Sequence, residues 1–380
     1  MGKTGIIITL GFIAMNAEIF QSAIFPGRYI QGPGAISVLP EWIGKLGTKA
    51  MIMGGRTSIR EIIPGLKKQG GADFLVESFG GECTVREINR ISAIAKAGGC
   101  DVIVAIGGGK AIDTVKAVAN ELNSKTIIVP TIASNDAPCS AISVIYTEES
   151  SFDHVLHLQQ NPNLVLLDSE IIAKSPVRLL IAGMGDALST WFEADACYTS
   201  SSPNEAGGHC TLSALNLAKL CYDTILKYGL EARESCRANQ VTPALEKVIE
   251  ANTLMSGLGF ESAGLASAHS IHNGLTQLAG THAYYHGEKV AFGVLAGLFL
   301  ASRPAALIEE VYAFCLSVGL PVTLAQIGVI DPPAEDLQKV AAAACAPEES
   351  IWHEPYQISP ARIVECIRMA DNRGKQYLST

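Results

Sequence analysis

The sequence has no surplus of positive charge. Across 380 residues, 28 lysines and arginines face 37 aspartates and glutamates, for a formal net charge of −9. Phosphate backbones are bound by clustered Lys and Arg, so the charge balance argues against a nucleic-acid partner. The ten cysteines form no C-x-x-C pair, which excludes the short-spaced thiol metal and redox motifs. Several of them, Cys197, Cys221, Cys315 and Cys366, lie in helix-like runs where buried, reduced thiols are the common state. That pattern favours a reducing compartment and hence the cytoplasm. There is no internal repeat and no low-complexity linker. The apolar stretch GIIITLGFIA near the N-terminus is too short to span a bilayer, and no membrane partner is expected. It also fits the apolar core of a signal peptide; the thiols argue against that, and residues 1–20 are read as an N-terminal extension.

What is present is a globular composition, 48% hydrophobic and 17% charged, in a chain long enough for two domains. From residue 24, apolar runs ending in glycine alternate with helical patterns. RYIQG, KAMIMGG, DFLVESFGG, DVIVAIGGG and KTIIVPTIA read as strands, and helical segments lie between them. That alternation predicts a mostly parallel sheet covered on both faces. ISVIYTEE, DHVLHLQQ and NLVLLDS read as further extended pieces. After about residue 169 helical periodicity takes over, with helices expected over 182–198, 204–228, 242–258, 305–318, 334–344 and 360–377. The expected organisation is an α/β domain over 21–176 followed by an all-α domain over 177–380, with a ligand in the cleft between them.

The chain is organised around residues 256–293, which hold His269, His272, His282 and His286. His269 and His272 stand three apart in GLASAHSIHNGL, near one face of an expected helix, and His286 opens a second one, HGEKVAFGVLAGLFLA. Two helices meeting at a corner, each lending an imidazole, can hold a metal. A carboxylate must then come from elsewhere. Asp186 in GMGDALSTWFEA is the leading candidate, because an unpaired charge among apolar neighbours is costly. The alternative is that these histidines cap helices or hydrogen-bond in the core.

Two further stretches carry chemistry. In AIGGGKAIDTVKAVA, Gly107 to Gly109 sit between a strand and a helix. Glycine lets backbone amides approach a phosphate at a helix N-terminus, and a tight turn alone is the alternative. VPTIASNDAPCSAISVIYTEE is dense in hydroxyls at a strand's C-terminal end, where ligands bind in open α/β sheets. Thr131, Ser134, Ser140 and Tyr146 can hydrogen-bond a cofactor there. Asp136 can accept from a substrate hydroxyl or close an Asx-turn.

GGGKAIDTVKA, PTIASNDAPCSAISVIYT, GMGDALSTWFEA, EANTLMSGLGFESAGLASAHSIHNGLT and HGEKVAFG together resemble the glycerol dehydrogenase family, within the iron-containing alcohol dehydrogenase and dehydroquinate synthase-like superfamily. The resemblance runs from about residue 25 to the C-terminus. It implies a Rossmann-like parallel-sheet domain, a helical metal-binding domain and a ring-like homo-oligomer, typically an octamer. The implied activity is zinc-dependent oxidation of glycerol to dihydroxyacetone with NAD. Carried over residue by residue, Asp186, His269 and His286 would be the zinc ligands and Asp136 the glycerol contact. Gly108, Gly109 and Lys110 would form the pyrophosphate loop. Thr131, Ser134, Ser140, Ile142 and Tyr146 would contact the cofactor, and His272 would act from behind the ligands or near the nicotinamide.

Four departures from the family pattern matter. Thr190 stands where iron-dependent relatives place a histidine ligand, and three remaining ligands suit zinc with an open site. Asn135 replaces a hydroxyl residue, and the loop between His272 and His286 is one residue short. Gly55, a cofactor-edge position, stands where an aspartate is expected to meet the adenosine ribose, which opens an NADP-using alternative. A broader vicinal-diol dehydrogenase is another. A dehydroquinate synthase-like lyase would need several Lys and Arg around an anionic substrate; the histidine stretch has only Lys289 and the Asp136 loop none.

Overall fold

The computed structural model describes residues 20–379, so the expected extension over 1–20 lies almost entirely outside the described residues. The strands are β1 (Tyr29–Gly32), β2 (Lys49–Gly54), β3 (Asp73–Ser78), β4 (Val102–Gly107), β5 (Lys125–Pro130), β6 (Ile142–Tyr146), β7 (Phe152–His157) and β8 (Leu164–Asp168). Six of them form one all-parallel sheet in the order β1-β8-β5-β4-β2-β3. β6 and β7 pair antiparallel as a separate hairpin. Helices α1 (Leu39–Leu46), α2 (Ile63–Gln69), α3 (Val85–Ala97) and α4 (Gly109–Leu122) fill the connections between strands.

Side-chain alternation along the central strands divides their residues between two cores, as the two-residue period of a strand requires. Ile52, Val104, Ile106, Ile127 and Val129 pack with Leu39, Ile43 and Ile63 on one face. Met51, Met53, Ile103, Ala105 and Ile128 join the larger core, which continues into the helices that follow.

Those helices begin with α5 (Ser169–Ala173), α6 (Val177–Ser200), α7 (Leu212–Arg237), α8 (Pro243–Glu250) and α9 (Ser256–Ala263). Then come α10 (Ser267–Leu275), α11 (His286–Leu300), α12 (Ala305–Val318), α13 (Ala334–Ala344) and α14 (Pro360–Leu378). Among the described residues none is long and apolar enough to cross a membrane. The expected helix over 242–258 is real but interrupted. A π-helical turn, Ala251–Met255, joins α8 to α9 and places Ser256 at the start of α9.

The helix expected from 204 starts later, at Leu212, where the Thr211 hydroxyl accepts from the Ala214 amide. Before it the chain is tied into a loop by Asn204. Its amide donates to the Ser22 and Ser262 carbonyls, and its oxygen accepts from the Ala206 and Gly208 amides. Gly207, at φ +75°, supplies the left-handed turn.

The direction of strand addition reverses between β2 and β4. The chain steps outward to β3, crosses back to β4, then steps away to β5. Such a switch point leaves a crevice beyond the strand C-termini. Register puts Gly54 beside Ile106 and Gly107 beside Pro130. The loops starting at Gly55, Gly108 and Thr131 therefore share one edge.

Candidate active site

Asp186 lies in the middle of α6 with no solvent exposure. Its Oδ2 accepts from the Asp136 amide at 3.3 Å, while Oδ1 has no hydrogen-bond partner. Two imidazoles face that orphan oxygen, with Nε2 of His286 at 3.1 Å and Nε2 of His269 at 3.6 Å. One ligand atom from each of the three residues lies within 4.8 Å of the other two. Asp186 and His269 are walled in, whereas the His286 side chain is 40% exposed, so the cluster opens on one side. A hard carboxylate oxygen and two imidazole nitrogens with an open face fit a catalytic divalent cation.

Electrostatics in the metal-free molecule follow from this geometry. Burial pushes the Asp186 carboxyl up, but the facing His286 and His269 outweigh it and hold it well below the usual range. Burial lowers His269, and the carboxylates of Glu193 and Asp186 override this and raise it well above its ordinary value. His272 goes the other way, pushed down by burial and then by the neighbouring His286. Asp136 is raised by burial and by the charge of Asp186.

Asp136 follows β5 and opens a short 3-10 turn, Ala137–Cys139. Its Oδ2 accepts from Ser256 Oγ at 2.8 Å, and Ser256 Oγ lies 2.8 Å from Thr190 Oγ1. Thr190, one turn after Asp186, thus steadies Asp136 through Ser256.

The switch-point edge lies beside this cluster. α4 starts at Gly109 after Gly108, with no side-chain cap on its free amides. A Cβ on Gly108 would lie 2.8 Å from Ile132, and one on Gly109 3.0 Å from the Asn135 amide, so the glycine and serine-rich loops touch. Thr131 donates its amide to the Gly107 carbonyl at 3.0 Å. Lys110 pairs with Glu82 at 2.6 Å and sits 5.0 Å from the ring centre of Tyr146. Ser134, Ile142 and Tyr146 are half-buried. Ser140 is 1% exposed, with its hydroxyl turned inward to the Ala137 carbonyl. Gly55 is half-buried and a Cβ there would meet nothing within 4 Å; Arg56 and Thr57 beside it are exposed.

The sequence profile of the iron-containing alcohol dehydrogenases matches residues 26–169. A glycerol dehydrogenase of Thermotoga maritima is 50% identical over 366 residues, covering 94% of this chain and 98% of that protein. The chain belongs to the glycerol dehydrogenase family. The crystal structure of a probable glycerol dehydrogenase from Sinorhizobium meliloti superposes with a TM-score of 0.89 at 41% identity, covering 94% of this chain and 99% of that one. That of Schizosaccharomyces pombe glycerol dehydrogenase gives 0.90 at 36% identity, covering 95% and 92%. The Rossmann-like sheet and helical arrangement expected from sequence is the fold of this oxidoreductase family.

Three residues that support the glycerol dehydrogenase-like site went unread in the sequence. Glu193 binds Nδ1 of His269 at 2.6 Å from a position 1% exposed. It follows Asp186 by two helical turns, and that spacing of acids in an apolar helix was the available signal. Lys116, 2% exposed in α4, donates to the carbonyls of Ala137 (2.9 Å), Ser140 (3.3 Å) and Ile142 and pairs with Asp113 at 3.1 Å. A buried lysine requires such partners. Ser256 carried no local signal, because only the fold brings it to Asp136.

Proposed function

We propose that the protein oxidises glycerol at its secondary hydroxyl to dihydroxyacetone, with NAD as hydride acceptor and zinc held by Asp186, His269 and His286. The observation that carries this reading is the convergence of those three ligand atoms around an orphan carboxylate oxygen, on the side of Asp136. When bound, the metal would lower the pKa of a coordinated hydroxyl toward neutrality, and the nicotinamide would accept the hydride. The chain's own residues do the rest. Asp136, anchored by Ser256, accepts a hydrogen bond from a neighbouring substrate hydroxyl and orients the polyol. The uncapped amides at the start of α4 receive the cofactor's pyrophosphate, aided by the helix dipole. Burial of Asp186 keeps its charge unscreened by water.

Zinc rather than iron is favoured because Thr190 is engaged with Ser256 and offers no fourth nitrogen ligand. Gly55 favours relaxed cofactor choice, since position 55 itself offers no carboxylate to repel a 2′-phosphate and Arg56 stands exposed beside it. We also read residues 21–176 as the dinucleotide-binding domain and 177–380 as the metal-binding domain of a ring-like homo-oligomer. A cytoplasmic setting suits ten cysteines that are all free.

The test is to incubate the protein with glycerol and NAD or NADP, follow nicotinamide reduction and identify the ketone. Glycerol-dependent reduction yielding dihydroxyacetone is expected. No reduction with either cofactor overturns the reading.

A further inference from the structure

Glu193 does two things with one carboxylate. Oε1 accepts the amides of Ala266 (2.9 Å) and His269 (3.0 Å), which the start of α10 otherwise leaves without a side-chain cap. Oε2 lies 2.6 Å from Nδ1 of His269. A carboxylate only accepts, so Nδ1 carries the hydrogen and Nε2, the nitrogen facing Asp186, is the one left to ligate a metal. His286 is held by a neutral partner instead. Its Nδ1 lies 3.1 Å from Nε2 of His272, whose own Nδ1 lies 3.0 Å from the Asn273 side-chain oxygen.

We propose that Glu193 is a positioning residue that fixes the His269 tautomer, and that only an anion can do so at this position. The proposal rests on the reading of Asp186, His269 and His286 as a metal site. Glutamine has the same shape but one amino group. Turned toward Ala266 and His269, that group would set donor against donor twice. Its oxygen therefore goes to the two backbone amides and its NH2 to Nδ1 of His269. Nδ1 must then accept, the ring hydrogen moves to Nε2, and the nitrogen facing Asp186 can no longer ligate. An isosteric, fold-preserving change thus removes one ligand of three.

The experiment is zinc titration against a competing chelator for wild type, Glu193→Gln and Glu193→Asp, with circular dichroism of each metal-free protein. Glu193→Gln is expected to keep the wild-type spectrum and lose zinc affinity by about 10–100-fold, the range for outer partners of metal-bound histidines. Glu193→Asp, which keeps the anion, recovers most of that loss; a role in capping α10 alone would show in the melting temperature and not in the affinity of folded protein. Zinc held by Glu193→Gln as tightly as by wild type, or equal weakening by Gln and Asp, overturns the proposal. Neutron diffraction from wild-type crystals tests it without a variant: a deuteron on Nδ1 of His269 is expected, and a bare Nδ1 overturns it. Failure of wild type to hold zinc would instead remove the metal reading itself.

Discussion

Gly185 and Gly287 meet backbone to backbone where α6 crosses α11. A Cβ on Gly185 would overlap the Gly287 carbonyl oxygen, and one on Gly287 would overlap the Ala182 carbonyl oxygen and lie 2.9 Å from the Asp186 amide. Asp186 follows one of these glycines and His286 precedes the other. The close crossing is what brings their side chains to 3.1 Å.

Gly287→Ala is therefore expected to push α11 away from α6. Overpacking of this kind costs about 1–3 kcal/mol, and here it also separates two ligands. Urea denaturation and zinc titration of the variant check this. Unchanged stability together with unchanged zinc affinity would show that the crossing does not set the ligand geometry.

The strand pattern and the glycine turn after β4 were legible because each rests on local periodicity; Asp186 and the four histidines stood out as residue types that are costly unless partnered, and the choice of His269 and His286 among them came from the family resemblance. Asp186 is an example: a charge inside an apolar helix has to face something. Ser256 and Glu193 were not read, because their partners lie 120 and 76 residues away along the chain, and Lys116 was not, because beyond its local pair with Asp113 the carbonyls it holds lie 21 to 26 residues away. The late start of α7 was missed because the Asn204 loop is held by the Ser22 and Ser262 carbonyls, which only the fold brings near.

Lys116 holds the loop that bears Asp136 by donating to carbonyls on both sides of Ser140. Lys116→Met leaves Asp113 buried without its cation. Breaking a buried pair in this way costs about 3–5 kcal/mol. Denaturant unfolding should show that loss, and Lys116→Met/Asp113→Asn should recover part of it. A single variant as stable as wild type would mean that the loop does not depend on this lysine.

Asp136→Ala is expected to impair glycerol turnover while leaving NADH binding intact, because Asp136 is assigned to the polyol. Removing a hydrogen bond to a charged group costs about 1.5–3 kcal/mol, which corresponds to roughly a 10–150-fold loss in kcat/KM for glycerol. Fluorescence titration with NADH supplies the control. Collapse of cofactor affinity with intact glycerol kinetics would assign the residue to the wrong ligand.

Gly55→Asp has room for its side chain, since a Cβ there meets nothing within 4 Å. The new carboxylate should accept from a ribose hydroxyl and repel a 2′-phosphate. Side-by-side kcat/KM values are expected to show weak discrimination against NADP in wild type and a shift toward NAD in the variant. Strong NAD selectivity in wild type, unaltered by the aspartate, would show that this edge does not choose the cofactor.

Under the proposed function, Asp186, His269 and His286 hold the metal on which turnover depends. The direct measurement strips wild type with a chelator, assays glycerol-dependent NAD reduction, and repeats the assay as zinc is added back, with Asp186→Asn in parallel. Stripped wild type is expected to be inactive and to recover fully at about one zinc per chain, while Asp186→Asn stays inactive because three ligands leave none to spare. Undiminished turnover by the metal-free protein, or full recovery of Asp186→Asn at the same zinc concentration, would contradict this assignment.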